Sequence, residues 1–382
     1  MMSRRQFLRA TALSAGAMFV APRMVFASVE SERRFVFIIA RGAADGLHIV
    51  VPYADPAYAT LRGPIAVDAS SATRLDGTFA LHPSLQRTAQ FYAQKQALFV
   101  HAVATPYRDR SHFDGQNVLE TGGSAPYSLR DGWLNRLVGL VGPSRAEAIA
   151  FAPTVPLALR GQFDVASYAP SALPSASDDL LMRVGALYEH DAQLGPLWQS
   201  AMSARDMAGG TRARGDAAGI GKMAASFLAK TDGPRIAMIE TLGWDTHSGQ
   251  NPRLATQLKA LDAMLDALHE GLGPVWDKTT IVVATEFGRT AAVNGTGGTD
   301  HGTGTAAMLL GGAIRGGRVL ADWPGLRPSD LYQGRDLRPT TSLDDVIAGA
   351  ASETFGLDPH RTAALLFPQT KEAKPATGLV TA

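Results

Sequence analysis

The chain has 382 residues, 46% apolar and 19% charged, a balance that suits a folded globular protein and not a disordered one. Its formal charge is only +1 and no dense basic cluster stands out, which argues against nucleic acid as a partner. Cysteine is absent, so disulfides and thiolate metal sites are excluded, and any metal must take oxygen and nitrogen ligands.

Residues 1–27 read as a targeting segment. Ser3-Arg4-Arg5-Gln6-Phe7-Leu8-Arg9 resembles the twin-arginine export motif. An apolar stretch follows from Ala10 to Ala21, too short to span a bilayer, and Val25-Phe26-Ala27 offers a cleavage site. The expectation is a periplasmic or secreted protein that engages the twin-arginine export machinery. Removing this segment, with four arginines and no acid, takes the formal charge from +1 to −3. No later apolar run approaches membrane-spanning length, so no transmembrane segment is expected in the mature chain.

Phe35–Ile39 predicts a first buried strand running into Arg41-Gly42-Ala43-Ala44-Asp45-Gly46. Asp45 there is either a metal ligand or an Asp-Gly turn residue. A helix is expected over 84–96 with Ser84 as its cap, then a strand over 97–102. The loop after it packs Arg108, Asp109, Arg110, Ser111, His112 and Asp114 together. It reads as a nucleophile or metal-ligand loop, or as a capping box with Ser111 at the cap and Asp114 three residues on. Residues 131–140 predict another helix. Residues 177–230 read as a helical insertion and candidate lid, with Leu181, Val184, Leu187 and Tyr188 on one side and His190 at the surface.

A strand over 236–239 ends in Gly243-Trp244-Asp245-Thr246-His247, whose i, i+2 spacing can point Asp245 and His247 to one side. Leu254, Leu258, Leu261, Leu265, Leu268 and Leu272 then define one apolar helix face, which is core. Ile281–Ala284 is a β-branched run fit for a strand buried on both faces, followed by Glu286 and Arg289. A glycine-rich loop leads to Asp300 and His301, hemmed by Gly298, Gly302 and Gly304, and then to a second apolar run over 306–310. The Asp-His pair is either a metal-ligand pair or a polar turn. Residues 343–355 predict a last helix, and residues 369–382 a flexible tail.

Several strand-like runs thus lead into Asp, His or hydroxyl residues, which a mostly parallel sheet would gather on one edge. Such a set, without cysteine, suits divalent metal and phosphate- or sulfate-type esters. The motifs R-G-A-A-D-G-L, S-H-F-D, G-W-D-T-H, T-E-F-G-R-T and G-G-T-D-H-G-T-G resemble the DUF1501 family, within the alkaline phosphatase and sulfatase superfamily. That resemblance implies an alkaline phosphatase-like α/β three-layer sandwich over residues 28–368. Its mostly parallel central sheet would lie between helices, with the insertion at 177–230. It implies one or two divalent ions (Zn, Mn, Mg or Ca), held by Asp45, Asp245, His247, Asp300 and His301. Phosphatase-type members also use a later His; here only His360 follows, and Glu286 stands in as a ligand. Ser111 falls at the nucleophile position, and Arg289 or Arg110 would grip a small anionic ester. The expected activity is an exported metal-dependent hydrolase of phosphate or sulfate esters. The alternative is a non-catalytic envelope binding or assembly protein that keeps the fold.

Overall fold

A computed structural model describes residues 32–142, 148–169, 178–188, 191, 193–207, 216–370 and 372–381. Residues 1–27, expected to direct export, and His190 lie outside the described residues. The strands are β1 Arg34–Ala40, β2 Val50–Val51, β3 Thr73–Arg74, β4 Ala80–Leu81, β5 Ala97–Ala104 and β6 Ala148–Phe151; then β7 Ala166–Ser167, β8 Ile236–Thr241, β9 Thr279–Ala284, β10 Thr305–Leu310, β11 Arg318–Leu320 and β12 Thr341–Ser342. The large sheet has the order β11-β5-β10-β9-β1-β8-β6-β7, with β12 also paired to β5, while β2, β4 and β3 form a small separate sheet. In the large sheet every pairing is parallel except those of β10, which runs antiparallel to both β5 and β9.

β1 shows why the sheet is buried on both faces. Its sequence Arg-Phe-Val-Phe-Ile-Ile-Ala is apolar without alternation, and all seven residues are buried. Phe35, Phe37 and Ile39 point into one core, against Trp133, Leu137, Ile347 and Phe355. Val36, Ile38 and Ala40 point into the other, against Leu254, Leu258, Leu261, Leu265, Leu268 and Leu272. The expected leucine stripe lies on the 23-residue helix Gln250–Leu272, and none of its six leucines exceeds 2% exposure. The result is a three-layer α/β sandwich with a mostly parallel central sheet. No helix among the described residues is long and apolar enough to cross a membrane.

Three expectations change in detail. The helix expected over 84–96 runs Gln86–Ala93, with Leu85 at its cap, because the chain turns through a positive φ at Lys95 to enter β5. The insertion is helical at Asp178–Tyr188, Leu194–Met207 and Ala217–Leu228, but Leu187 is exposed and Leu181, Val184 and Tyr188 only half-buried. The tail is held down where flexibility was expected. Leu379 is wholly buried, and Glu353 accepts from the backbone N–H groups of Leu379 and Val380 at 2.7 Å each.

Candidate metal centre

β1, β5, β8 and β9 end on one edge of the sheet, and β10, running backwards, begins there. Residues just past β5, β8 and β9 therefore meet residues just before β10. Two of these loops are laced together. Gly302 N donates to Gly288 O at 2.8 Å, Gly288 N to Thr303 O at 2.9 Å, and Thr290 N to Asp300 O at 2.9 Å. A Cβ at Gly302 would lie 2.4 Å from the Arg289 carbonyl, and one at Gly298 would lie 2.3 Å from that of His247. Only glycine permits this backbone-on-backbone approach, which brings His247, Arg289 and His301 together.

Three imidazoles share one arrangement. His112 Nδ1 lies 2.8 Å from Glu286 Oε1, His247 Nδ1 3.2 Å from Asp300 Oδ1, and His301 Nδ1 2.9 Å from the Arg110 carbonyl. Ionised carboxylates and carbonyls only accept, so each Nδ1 can place a proton on its oxygen partner; the Nε2 atoms of His247 and His301, 3.0 Å apart, then share one further proton, which a divalent cation would displace to take both lone pairs. The three Nε2 atoms turn toward Asp245. His247 Nε2 is 3.0 Å and His301 Nε2 3.3 Å from Asp245 Oδ1, and His112 Nε2 is 3.4 Å from Oδ2. One ligand atom from each of His112, Asp245 and His301 falls within 4.8 Å of the others. Buried His112 Nε2 makes no hydrogen bond. An imidazole fixed by an oxygen on one nitrogen and offering the other is the arrangement metal-binding histidines adopt.

The same contacts set the charges of the site. Burial pushes the Asp245 carboxyl up, but the hydrogen bond and charge of Arg289, with His247 and His112 beside it, hold it below its ordinary range. Glu286 is wholly buried; burial raises it, yet its bonds from His112, Gln116 and Thr285 keep it ionised. His112 is raised by its hydrogen bond to Glu286, against burial. His301 is lowered by burial and by the neighbouring His112.

The sequence-predicted residues divide. Asp245, His247 and His301 come together. Asp300 and Glu286 stand one step back, each on the Nδ1 of an imidazole; Glu286 Oε1 also accepts from Gly42 N at 2.9 Å and Gln116 Nε2 at 3.0 Å. Asp45 is engaged elsewhere. Arg62 takes both its oxygens at 2.7 Å and Gln250 Nε2 adds a third bond at 2.7 Å, all buried. Arg289 has a fully buried side chain and donates to Asp245 Oδ1 at 2.6 Å and Thr299 Oγ1 at 3.1 Å, so it is not placed to grip a substrate. Arg110 reaches Asp336 at 2.8 Å and Gln333 at 2.7 Å, and its contribution here is its carbonyl, set by a left-handed φ of 63°. Ser111 occupies the cap position of helix His112–Thr121, but its side chain makes no cap bond. His112 was seen in the sequence only as part of the Ser111 loop; the signal that could have singled it out is its place on the first turn of a helix leaving β5. A cavity of about 600 Å3 opens on the same edge, lined by Thr105, Arg108, Ser342, Asp344, Gln369 and Thr370 and not by the converging residues.

The sequence profile of a family described as "Protein of unknown function (DUF1501)" matches residues 32–366. A search of curated proteins gives no match. Among solved structures, the C-terminal periplasmic domain of EcEptC from Escherichia coli in complex with Zn is similar at 13% identity, covering 91% of this chain and 89% of that one, with a TM-score of 0.42. The phosphonate monoester hydrolase of Agrobacterium radiobacter is similar at 11% identity, with 89% and 78% coverage and a TM-score of 0.37. A mutant of TAB5 alkaline phosphatase with bound Mg gives 10% identity, 88% and 98% coverage and a TM-score of 0.37.

Proposed function

We propose that this chain, which belongs to the DUF1501 family, is a metal-dependent hydrolase of phosphate or sulfate esters, with His112, His247, His301 and Asp245 holding a divalent ion. The observation that carries the reading is the shared polarity of the three imidazoles: each is fixed at Nδ1 and offers Nε2 toward one ionised carboxylate. A divalent ion bound there would supply Lewis-acid stabilisation of charge on the transferred group and a lowered pKa for the attacking hydroxyl or water.

The chain's own residues do the rest. Glu286 and Asp300 keep the Nδ1 protons of His112 and His247 in place, and Arg289 keeps Asp245 ionised. Ser111 is the nucleophile in this reading. Its N–H donates to the Tyr107 hydroxyl at 3.0 Å, which fixes its backbone, while its own hydroxyl is not used in capping. Cleavage after Ala27 and twin-arginine export would put the activity in the periplasm or outside the cell.

Metal analysis and an ester panel test this. The purified mature chain is assayed on phosphate mono- and diesters and aryl sulfates with Zn2+, Mn2+, Mg2+ or Ca2+. Wild type should bind metal and turn over one ester class; Ser111→Ala should keep its metal and lose turnover. Turnover that survives in Ser111→Ala removes the serine from the reaction. A wild type that binds no divalent ion defeats the reading, and one that binds metal but turns over no ester moves the protein to the binding-module class.

A further inference from the structure

Asp45 follows a strand, is ionised and is not in the cluster, yet it is tied to it. Arg62 clamps its two oxygens at 2.7 Å each, and Gln250 Nε2 donates to its Oδ2 at 2.7 Å. Gln250 Oε1 in turn accepts from Thr299 Oγ1 at 2.7 Å and from Thr246 Oγ1 at 2.9 Å. Thr299 Oγ1 then accepts from Arg289 Nε at 3.1 Å, and Arg289 Nη1 donates to Asp245 Oδ1 at 2.6 Å. Arg62, Asp45, Gln250, Thr246, Thr299 and Arg289 are each no more than 1% exposed, so water does not compete for these bonds.

We infer that Asp45, Gln250 and Thr299 are positioning residues that fix Asp245 through Arg289, an inference that rests on the metal-centre reading above. The polarity of every link follows from the first. An ionised Asp45 only accepts, so the Gln250 amide must present Nε2 to it and Oε1 away from it. With Oε1 facing Thr299, the threonine hydroxyl donates to the amide and keeps a lone pair for Arg289 Nε–H. That bond, with the contact of Arg289 Nη2 to the Thr299 carbonyl, sets the guanidinium plane and leaves Nη1 on Asp245. A flipped amide would set its oxygen against the Asp45 carboxylate and face two hydroxyls with donors. The charge beyond β1 thus fixes the orientation of a carboxylate beyond β8. Asp245 needs such a hold, because its side chain is 41% exposed and three imidazoles approach it.

Thr299→Val, nearly isosteric but without the hydroxyl, breaks the relay, and Thr299→Ser keeps it. The intact mature chain is titrated with Zn2+ against a chromophoric chelator, and the metal-free variants are crystallised. Thr299→Val should weaken Zn2+ by about 10–100-fold, the usual effect of losing a residue that orients a ligand, with Thr299→Ser close to wild type. The metal-free Thr299→Val crystals should show Asp245 displaced from Arg289 Nη1. A merely structural threonine would lower the melting temperature and leave both readouts unchanged, which overturns the inference. If wild type binds no Zn2+, the metal reading fails, and the relay is judged by the crystals alone: an unmoved Arg289–Asp245 contact rejects it and a displaced one sustains it. Should Thr299→Val not fold, Gln250→Met breaks the adjacent link and is read in the same two ways.

Discussion

Asp45 and Asp245 begin alike and end differently. Each is a carboxylate a few residues past a parallel strand, on the same edge of the sheet. Asp45 is 1% exposed and both its oxygens meet one guanidinium fork. The Asp245 side chain is 41% exposed, gives one oxygen to Arg289, and is left facing three imidazole nitrogens. The partners, and not the strand-end position, decide which carboxylate is free to hold a cation. The Arg62 fork and the Gln250 amide fill three of the roughly four acceptor sites of Asp45 and the guanidinium offsets its charge, which leaves little for a cation.

The widest gap between the two should appear on neutralising each. Asp45→Asn leaves Arg62 buried without a counter-ion, its Nε already without a partner among the described residues, and should cost about 3–5 kcal/mol. Asp245→Asn also removes the counter-ion of buried Arg289, but Arg289 keeps the Thr299 hydroxyl and carbonyl and the lost carboxylate was partly solvated, so the cost should be about 1–2 kcal/mol in the metal-free protein. Urea unfolding of both variants checks this, and equal losses would erase the distinction.

Asp344 sharpens the comparison as a buried carboxylate that no guanidinium among the described residues hydrogen-bonds. Burial, opposed by the Thr370 hydroxyl and the Arg108 charge and aided by Asp345, pushes its carboxyl up to about 7. The folded chain then holds a proton that the unfolded chain releases near pH 4, so this residue makes stability fall as pH rises from about 4 to about 7, with no further change above. Asp344→Asn should remove that fall and exceed wild type at pH 8 by on the order of 2–4 kcal/mol, with the gap narrowing at pH 4.5. Urea titrations at the two pH values decide it; a gap that does not change with pH would mean that Asp344 is ionised in the fold throughout.

The smallest effect concerns the imidazole side of the comparison. Glu286→Gln keeps the shape beside His112 but removes the charge, and should weaken divalent-ion binding by about 10–100-fold, or roughly 1.4–2.8 kcal/mol. Calorimetry on the variant would reveal it, and unchanged affinity would show that His112 needs no carboxylate behind it.

The sheet was legible because continuous apolar runs such as Phe35–Ile39 and Ile281–Ala284 have few other uses, and the leucine stripe because its period admits one face. The strand ends were legible as chemistry, but not their division of labour. Asp300 and His301 are adjacent, and neighbours on extended chain face opposite ways, so only His301 enters the cluster while Asp300 reaches His247 from outside. Ser111 and Asp114 have capping-box spacing, yet the serine hydroxyl makes no cap bond. Arg62, Gln250 and Thr299 carry no motif; their roles arise from a hydrogen-bond chain whose links join residues 205 apart at Asp45–Gln250 and 49 apart at Gln250–Thr299, separations no local pattern encodes.

The central place of β1 has a consequence for the order of assembly. It is the first strand of the sheet to be synthesised, yet its partners are β8 and β9, with Phe35 aligned to Ile236 some 200 residues later. At ribosomal rates of roughly 5–20 residues per second, β1 waits about 10–40 s for a neighbour. Through that interval Phe-Val-Phe-Ile-Ile is an unpaired, uncharged, strongly β-forming segment, the kind most prone to pair with another copy of itself. Slowing synthesis upstream of residue 236 should therefore raise the fraction that aggregates, and shielding the segment should lower it.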